Sequence, residues 1–133
     1  MGFLLDTNAW IVYLKSAHSS VRSRLESLAP ADVLLCSIVK AELLHGAQKY
    51  GNRERRMTVP AETFAPYASL PFDDAAALAY AAIRHELEIV RHIIGPNDLM
   101  IAAVARPNDL TLVTHNTEEF GRISSLKIQD WQS

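Results

Sequence analysis

Short apolar runs alternate along the chain with segments whose apolar residues recur three and four positions apart. The first run, residues 3–5, ends at Asp6 and is followed by helical spacing, so it predicts a strand, a turn and a helix. A second unit repeats this arrangement. There, residues 33–36 predict a buried strand, and Ser37 is a candidate N-cap for a helix that runs toward residues 50–51.

The remainder of the chain continues the alternation with one gap. Residues 19–28 predict a helix. Residues 95–97 (Gly-Pro-Asn) open another apolar helix, Leu99 to Ala105, with proline well placed at the first helical position; it is apolar on nearly every side and must be central. Residues 110–114 and 126–128 predict two more strands. Residues 60–71, which contain three prolines, receive no assignment. A long amphipathic helix follows them, with a predicted apolar face of Ala75, Leu78, Ala79, Ala82, Ile83, Leu87 and Val90.

Strands that alternate with helices indicate a parallel sheet covered by helices on both faces, an α/β architecture that residues 1–133 form as one domain. A chain of 133 residues buries enough surface to fold without disulfides or structural zinc. Its single cysteine, Cys36, cannot form an internal bridge, so we expect a reduced, cytoplasmic protein. The longest apolar run, residues 75–83, is too short to span a membrane, and Asp6 comes too early for a secretory signal.

Four carboxylates occupy positions where a charge is costly. Asp6 and Glu119 come just after predicted strands, Asp98 lies in the first turn of the central helix, and Glu42 lies on the packed side of a helix. Asp6 or Asp98 alone could be a helix cap, which contributes roughly 0.5–2 kcal/mol. Three of the four positions, however, converge on one edge of such a sheet, where carboxylates repel one another unless a cation holds them. The pattern predicts Mg²⁺ or Mn²⁺, which can activate water for attack on a phosphoryl group.

The net charge of −2 does not by itself indicate a nucleic-acid partner. With four acids committed to a metal, 11 acidic residues face 13 basic ones, and the remaining charge of +2 is compatible with a polyanionic substrate. Other phosphate chemistries fit less well. Asn8 occupies the position of the second aspartate of haloacid-dehalogenase phosphatases, Cys36 and Ser37 lie where a phosphorelay receiver carries its phosphoacceptor, and no glycine-rich turn follows the first strand.

Five segments surround the acids in a fixed order. Together they resemble the PIN-domain ribonucleases, and most closely the VapC toxins of bacterial toxin–antitoxin pairs. The resemblance spans nearly the whole chain. The segments are Leu5-Asp6-Thr7-Asn8, residues 37–43 (SIVKAEL), residues 94–103 (IGPNDLMIAA), residues 112–120 (LVTHNTEEF) and residues 128–131 (IQDW).

The resemblance implies a three-layer α/β/α PIN-like fold with a central parallel sheet of four or five strands and an acidic metal pocket that hydrolyses single-stranded RNA. Glu118 is a weaker candidate for the fourth acid than Glu119, because the family's acid directly precedes the aromatic residue that Phe120 matches. Asn116 stands where many PIN domains carry a further acid. By position, the catalytic residues are Asp6, Glu42, Asp98, Glu119 and Asn116, of which the four acids are also the metal ligands.

Other positions match the family less directly. Thr7, Asn8 and Ser37 resemble polar groups that orient the carboxylates. Residues 89–93 lack the glycine and proline that close relatives often carry there, which is a difference at the rim of the pocket rather than at its centre. His115 is interpreted as a loop residue. The basic residues Arg84, His85, Arg91, His92 and those of residues 49–56 are interpreted as solvated faces, with contacts to RNA phosphates as the alternative.

The resemblance also implies partners. These are an RNA substrate, for which the anticodon stem-loop of initiator tRNA is the first candidate, a VapB-like antitoxin and a second copy of the chain in a homodimer. Trp10 and Tyr13 are expected to pack inside the fold, although the early helices of such toxins help form an apolar groove for the antitoxin. The alternative hypothesis is a catalytically inactive PIN-fold module that binds nucleic acid or regulates another protein.

Overall fold

The structure is a computed structural model that describes residues 2–49 and 61–132. Strands and helices alternate through most of it, as the apolar pattern predicts. The elements are β1 (Phe3–Leu5), α1 (Thr7–Lys15), α2 (Ser20–Glu26), a 3₁₀ turn (Pro30–Asp32), β2 (Val33–Cys36), α3 (Ser37–Ala47), α4 (residues 61–64 of the described part), β3 (Ala68–Leu70), α5 (Asp74–Ile89), α6 (Pro96–Ala105), β4 (Thr111–Val113), α7 (Thr117–Phe120) and β5 (Lys127–Gln129).

The five strands form one parallel sheet in the order β3-β2-β1-β4-β5. β1 lies in the middle, where Leu4 pairs with Leu34 of β2 on one side and with Leu112 of β4 on the other. The chain therefore fills one half of the sheet before it crosses to the other half. This three-layer α/β/α arrangement confirms the predicted fold class and its five-strand form.

The unassigned stretch contains the edge strand β3, which the apolar pattern did not indicate. Ala68 and Ser69 are exposed and only Leu70 is partly buried. The strand therefore has neither a run of buried apolar residues nor a clear alternation of buried and exposed ones. Its place comes from parallel pairing with β2, in which Leu35 faces Ser69. Backbone pairing with β2 therefore holds this edge of the sheet, and Leu70 is its one side chain packed against the core.

The boundaries of α3 differ from the prediction. Ser37 is the first residue of the helix and Cys36 is its N-cap, so the prediction of Ser37 as the cap is wrong. Cys36 still has extended backbone because it also ends β2, which leaves no room for a separate capping residue. α3 ends at Ala47. The predicted end at residues 50–51 lies outside the described residues, as does most of the basic stretch at residues 49–56.

The core lies where β1, β2 and β4 meet the helices on both faces. α6 is buried along most of its length, with Leu99 and residues 101–105 inaccessible, which confirms the prediction of a central helix. Trp10 is fully buried and its ring lies 5.5 Å from those of Tyr13 and Tyr67. It is a packing residue, as expected. No helix within residues 2–49 and 61–132 is both long and apolar enough to cross a membrane.

The apolar face predicted for α5 is divided in the structure. Ala76, Ile83 and Leu87 are buried against the fold, whereas the side chain of Leu78 is 77% exposed. Alanines at many positions made the pattern apolar over too wide an arc to show which part of it faces the core. A second row of residues faces outward, and we call it the α5 stripe: Ala75, Leu78, Ala82 and Ile89.

The divided face predicts different costs for two truncations on the same helix. Ile83→Ala should lower the free energy of unfolding by about 2–5 kcal/mol, because it opens a cavity in the core. Leu78→Ala should change it by less than about 0.5 kcal/mol, because its side chain is already in water. Urea denaturation, at a concentration where the chain is monomeric, measures both. Equal losses would contradict the observed orientation of α5.

Candidate active site

Asp6 directly follows β1, the central strand, where the two halves of the sheet meet. Its backbone N–H donates to the Val113 carbonyl of β4 at 3.0 Å, so the crevice between β1 and β4 opens at this residue. The Asp6 side chain is buried and accepts a hydrogen bond from the Ala9 N–H at 2.9 Å. It is therefore the N-cap of α1. The capping interpretation of Asp6 is confirmed, and it does not exclude the predicted role in an acidic site, since both roles use the same carboxylate.

Thr114 is a residue at this edge that the sequence did not single out. It follows β4 and is buried, and its hydroxyl donates to Asp6 and accepts from the Asn116 N–H at 3.0 Å. Burial raises the pKa of Asp6, and the hydrogen bonds from Thr114 and Ala9 oppose that rise. Its position in the sequence could have identified it, because Thr114 is a hydroxyl residue that directly follows a strand, at the carboxyl edge of the sheet.

Glu42 reaches the same edge from α3. Val39 and Leu43 anchor the helix in the core, and Glu42 is only partly buried. The Thr7 hydroxyl donates to Glu42 Oε1 at 2.6 Å across the gap between α1 and α3. Thr7 therefore orients a carboxylate, as the resemblance implies. Two other residues do not show that role: Asn8 is exposed, and the Ser37 hydroxyl donates to the Leu70 carbonyl at 3.4 Å instead.

Asp98 carries the clearest electrostatic sign of a shared site. It lies in the first turn of α6, whose N-cap is Gly95. Partial burial raises the pKa of Asp98 from 3.8 to about 6, with the negative charges of Glu119, Asp6 and Glu42 adding to the rise. A hydrogen bond between the Asp98 and Glu119 carboxyl groups adds further to it. The structure thus brings the four predicted acids into one electrostatically coupled group.

Glu119 is positioned by the short helix α7, which the sequence did not predict. Asn116 Nδ2 donates to Glu119 Oε2 at 2.6 Å, so the amide orients this carboxylate. Glu118 points away from the group, with its side chain 88% exposed and paired with Arg122. Gly121 ends α7, and a side chain there would come within 2.5 Å of the Thr117 carbonyl oxygen. The turn that places Glu119 therefore requires glycine.

The histidine nearest the site in sequence remains largely in solvent. The His115 side chain is 63% exposed, and its Nδ1 lies 2.9 Å from Asp130 Oδ2 beyond the end of β5. Burial raises the pKa of Asp6, and the nearby His115 opposes that rise. The other basic residues set aside above, which are Arg84, His85, Arg91 and His92, are exposed on α5 and the turn that follows it.

The donor set fits a hard divalent cation. All four acids offer oxygen ligands, which Mg²⁺ and Mn²⁺ prefer, and a cation would replace the proton that Asp98 retains at about pH 6. Thr7, Thr114 and Asn116 each hold one carboxylate by a hydrogen bond. Among residues 2–49 and 61–132, no three His, Cys, Asp or Glu side chains already stand in ligand geometry. The acids are therefore coupled by charge and each is oriented by its own contacts.

The fold and the acid group define the class: an α/β protein with a carboxylate site at the switch point of a parallel sheet, as in PIN domains. The PIN-domain profile matches residues 3–126. The chain belongs to the PIN-domain family, in its VapC branch. It is 38% identical to the tRNA(fMet)-specific endonuclease VapC of Shigella flexneri, over 97% of each chain. Ribonuclease VapC2 of Rickettsia felis is 34% identical over 98% of each chain.

Solved structures of related proteins share the whole fold. VapBC2 from Rickettsia felis, bound to a DNA fragment from its promoter, superposes with a TM-score of 0.91 at 33% identity, over 98% of this chain and 99% of that chain. VapBC-1 from nontypeable Haemophilus influenzae gives a TM-score of 0.90 at 31% identity over the full length of both chains. Both are complexes of a toxin with its antitoxin.

The raised pKa of Asp98 predicts a pH-dependent stability in EDTA. Because its pKa is higher in the folded protein than in the unfolded chain, its contribution is complete below about pH 4 and is lost as the pH rises through about 6. Asp98→Asn should remove this loss and, above pH 6, melt on the order of 5 °C higher than the wild type.

Thermal melts between pH 4 and 8 measure the difference between the two proteins. Glu118→Gln is the matched control, since it removes an exposed carboxylate next to the site and should leave the profile unchanged. A drop of ten degrees or more in Asp98→Asn at neutral pH would show that this carboxylate supports the fold instead.

Proposed function

We propose that this protein is a divalent-metal-dependent endoribonuclease of the toxin type. The observation that carries the proposal is the convergence of four carboxylates at the sheet edge, where burial and then the charges of Glu119, Asp6 and Glu42 raise the pKa of Asp98 to about 6. A group of acids that repel one another lowers the stability of the metal-free protein. A cation that is held by the acids and acts on a polyanion would explain why they lie together. A binding module without a metal would not explain it.

We assign the residues of the site different roles. Asp6, Glu42, Asp98 and Glu119 would hold Mg²⁺ or Mn²⁺; when bound, such an ion lowers the pKa of water and stabilises negative charge on a phosphoryl group. Thr7 and Thr114 fix the directions of Glu42 and Asp6. Asn116 fixes Glu119 through its amide nitrogen, so its carbonyl oxygen is left to accept a hydrogen bond from an attacking water.

The substrate we propose is RNA, with tRNA as the first candidate. A relative of nearly equal length, 38% identical, is named for its action on tRNA(fMet). Apart from the four acids, the chain carries a net charge of +2, which suits a polyanion. Four exposed residues lie on one helix or just after it and could contact phosphates: Arg84, His85, Arg91 and His92. Such a substrate places the activity in the cytoplasm.

We further propose a VapB-like antitoxin as the regulating partner, because the structural relatives were solved as VapBC complexes. Trp10 is not part of the surface that such a partner would contact, since its side chain is fully buried. Tyr13 is only partly buried and lies under the guanidinium group of Arg22, 4.0 Å from its ring. Equimolar antitoxin should suppress the nuclease activity.

A homodimer is the proposed assembly, and the α5 stripe is the surface that favours it. Its two large apolar side chains are strongly exposed, Leu78 at 77% and Ile89 at 67%. Val90 and Ile93, which follow the end of α5, are also more than half exposed. Clusters of exposed large apolar residues commonly mark protein interfaces, and a two-fold axis lets one such surface cover its own copy.

Cleavage of total tRNA tests the enzymatic proposal. The purified chain with Mg²⁺ or Mn²⁺ should produce a discrete cut, EDTA should abolish it, and Asp98→Asn should reduce it by at least about 10²-fold, because one acidic ligand is lost. Sequencing of the RNA ends identifies the bond. A well-folded protein that makes no metal-dependent cut in any RNA would favour the inactive binding or regulatory module.

Analytical ultracentrifugation tests the assembly. The wild type should sediment at about twice the chain mass of 14.8 kDa, and Leu78→Glu should sediment as a monomer because it places a charge inside the proposed interface. Lys15→Glu, a charge change at an exposed position of α1, is the control and should remain dimeric. A Leu78→Glu protein that stays dimeric would exclude the α5 stripe as the interface.

A further inference from the structure

A pocket of about 310 Å³ lies beside the acid group, between α3 and the first turn of α6. It is not part of the acid group itself, although the two share one residue. The α3 positions that line it recur three and four residues apart, so they form one face of that helix. The lining residues are Ile38, Ala41, Glu42, His45, Asn97 and Met100.

The position of the pocket relates it to the reacting phosphate. Glu42 belongs to both the pocket wall and the acid group, and Asn97 directly precedes Asp98. An RNA strand with one phosphodiester at the four acids would therefore bring the sugar and base of a flanking residue to the pocket mouth. His45 and Asn97 are exposed, so the entrance is open to such a group.

The chemistry of the lining suits a nucleobase rather than a phosphate. Ile38, Ala41 and Met100 offer apolar surface for the face of a ring, and methionine sulfur makes favourable contacts with aromatic rings. Asn97 offers both a donor and an acceptor, which is the combination that reads the edge of an unpaired base. The Glu42 carboxylate in the wall disfavours an anion. A volume of about 310 Å³ is at the lower end for small-ligand sites and suits one base.

We propose that this pocket binds the base of the RNA residue next to the scissile phosphodiester, with Met100 and Ile38 against its face and Asn97 and His45 at its edge. The inference rests on the proposed ribonuclease function and deepens it. Nucleotide preference at the cut would then be set by α3 and α6, and not by the acids themselves.

The first test is a coupling experiment on short oligoribonucleotides that span the mapped cut. Each is made intact and with an abasic residue on either side of the cleaved bond. For the wild type, removal of one flanking base should lower kcat/KM about tenfold, as expected for one base held by stacking and edge contacts. For the double variant His45→Ala/Asn97→Ala, the same removal should cost only about threefold, because the edge contacts are already gone and only the packing against Ile38 and Met100 remains.

His18→Ala is the matched control. His18 is another exposed histidine, and it follows the end of α1 that lies away from Asp6, so this variant should show the wild-type loss. The proposal is overturned if removal of either base costs the double variant as much as the wild type. It is also overturned if neither removal affects the wild type.

The second test does not need activity. The methyl group of Met100, one of three methionines in the chain, can be followed by NMR while adenosine, guanosine, cytidine or uridine is added. A saturable shift with at least one nucleoside, weakened in Asn97→Ala, supports the base site even if no RNA is cut and the proposed function fails. A Met100 signal that responds to a VapB-type antitoxin but to no nucleoside overturns the proposal and assigns the pocket to a protein partner.

Discussion

Negative charge concentrated between β1 and β4 is the constraint on which the rest of the site depends. Asp6 is fixed there by its position after the central strand, and its carboxylate is both buried and used as a helix cap. Three further acids approach it from α3, α6 and α7. Each added carboxylate makes it less favourable for the others to be ionised. Hydrogen bonds from neutral side chains hold two of them, Glu42 and Glu119. Asp98, which is partly buried among these charges, retains a proton to higher pH.

The order of the strands explains how acids so far apart in sequence meet. β1 lies at the centre and the chain crosses from β3 at one edge to β4 on the other side of β1, which creates a crevice at the carboxyl ends of β1 and β4. α6 lies buried in the fold and begins with its acid at this crevice. A rigid, buried helix is a precise support for Asp98, while the short α7 places Glu119 by means of a turn that only Gly121 allows.

The predictable parts of the structure are those in which one residue's surroundings follow from its neighbours in the chain. Strands β1 and β2 and the central helix α6 are continuous apolar runs and were predicted closely. The edge strand β3 was not, because pairing with β2 rather than burial holds it. On α5, the helical spacing of apolar residues could not distinguish the buried Ile83 from the exposed Leu78. Only packing against the rest of the fold makes one buried and leaves the other exposed.

The candidate site was also predictable only in part. Acids at the ends of strands and at helix starts are visible in the sequence, and the resemblance to PIN domains names them. The contacts that hold them are tertiary. Thr114 touches Asp6 because β4 pairs with β1, and Thr7 reaches Glu42 across two helices. The pocket beside Glu42 needs the packing of α3 against α6, which no local pattern shows.

The capping bond of Asp6 has an evolutionary consequence. Asparagine is as good an N-cap as aspartate, so an amide at this position keeps the start of α1 in place while it removes one of the crowded charges. With Asp6 as one of the proposed metal ligands, a single substitution would remove the chemistry while the gene still encodes a folded chain that escapes degradation. Inactive copies would persist and compete for the same protein partners, and natural selection would act on their binding surfaces alone.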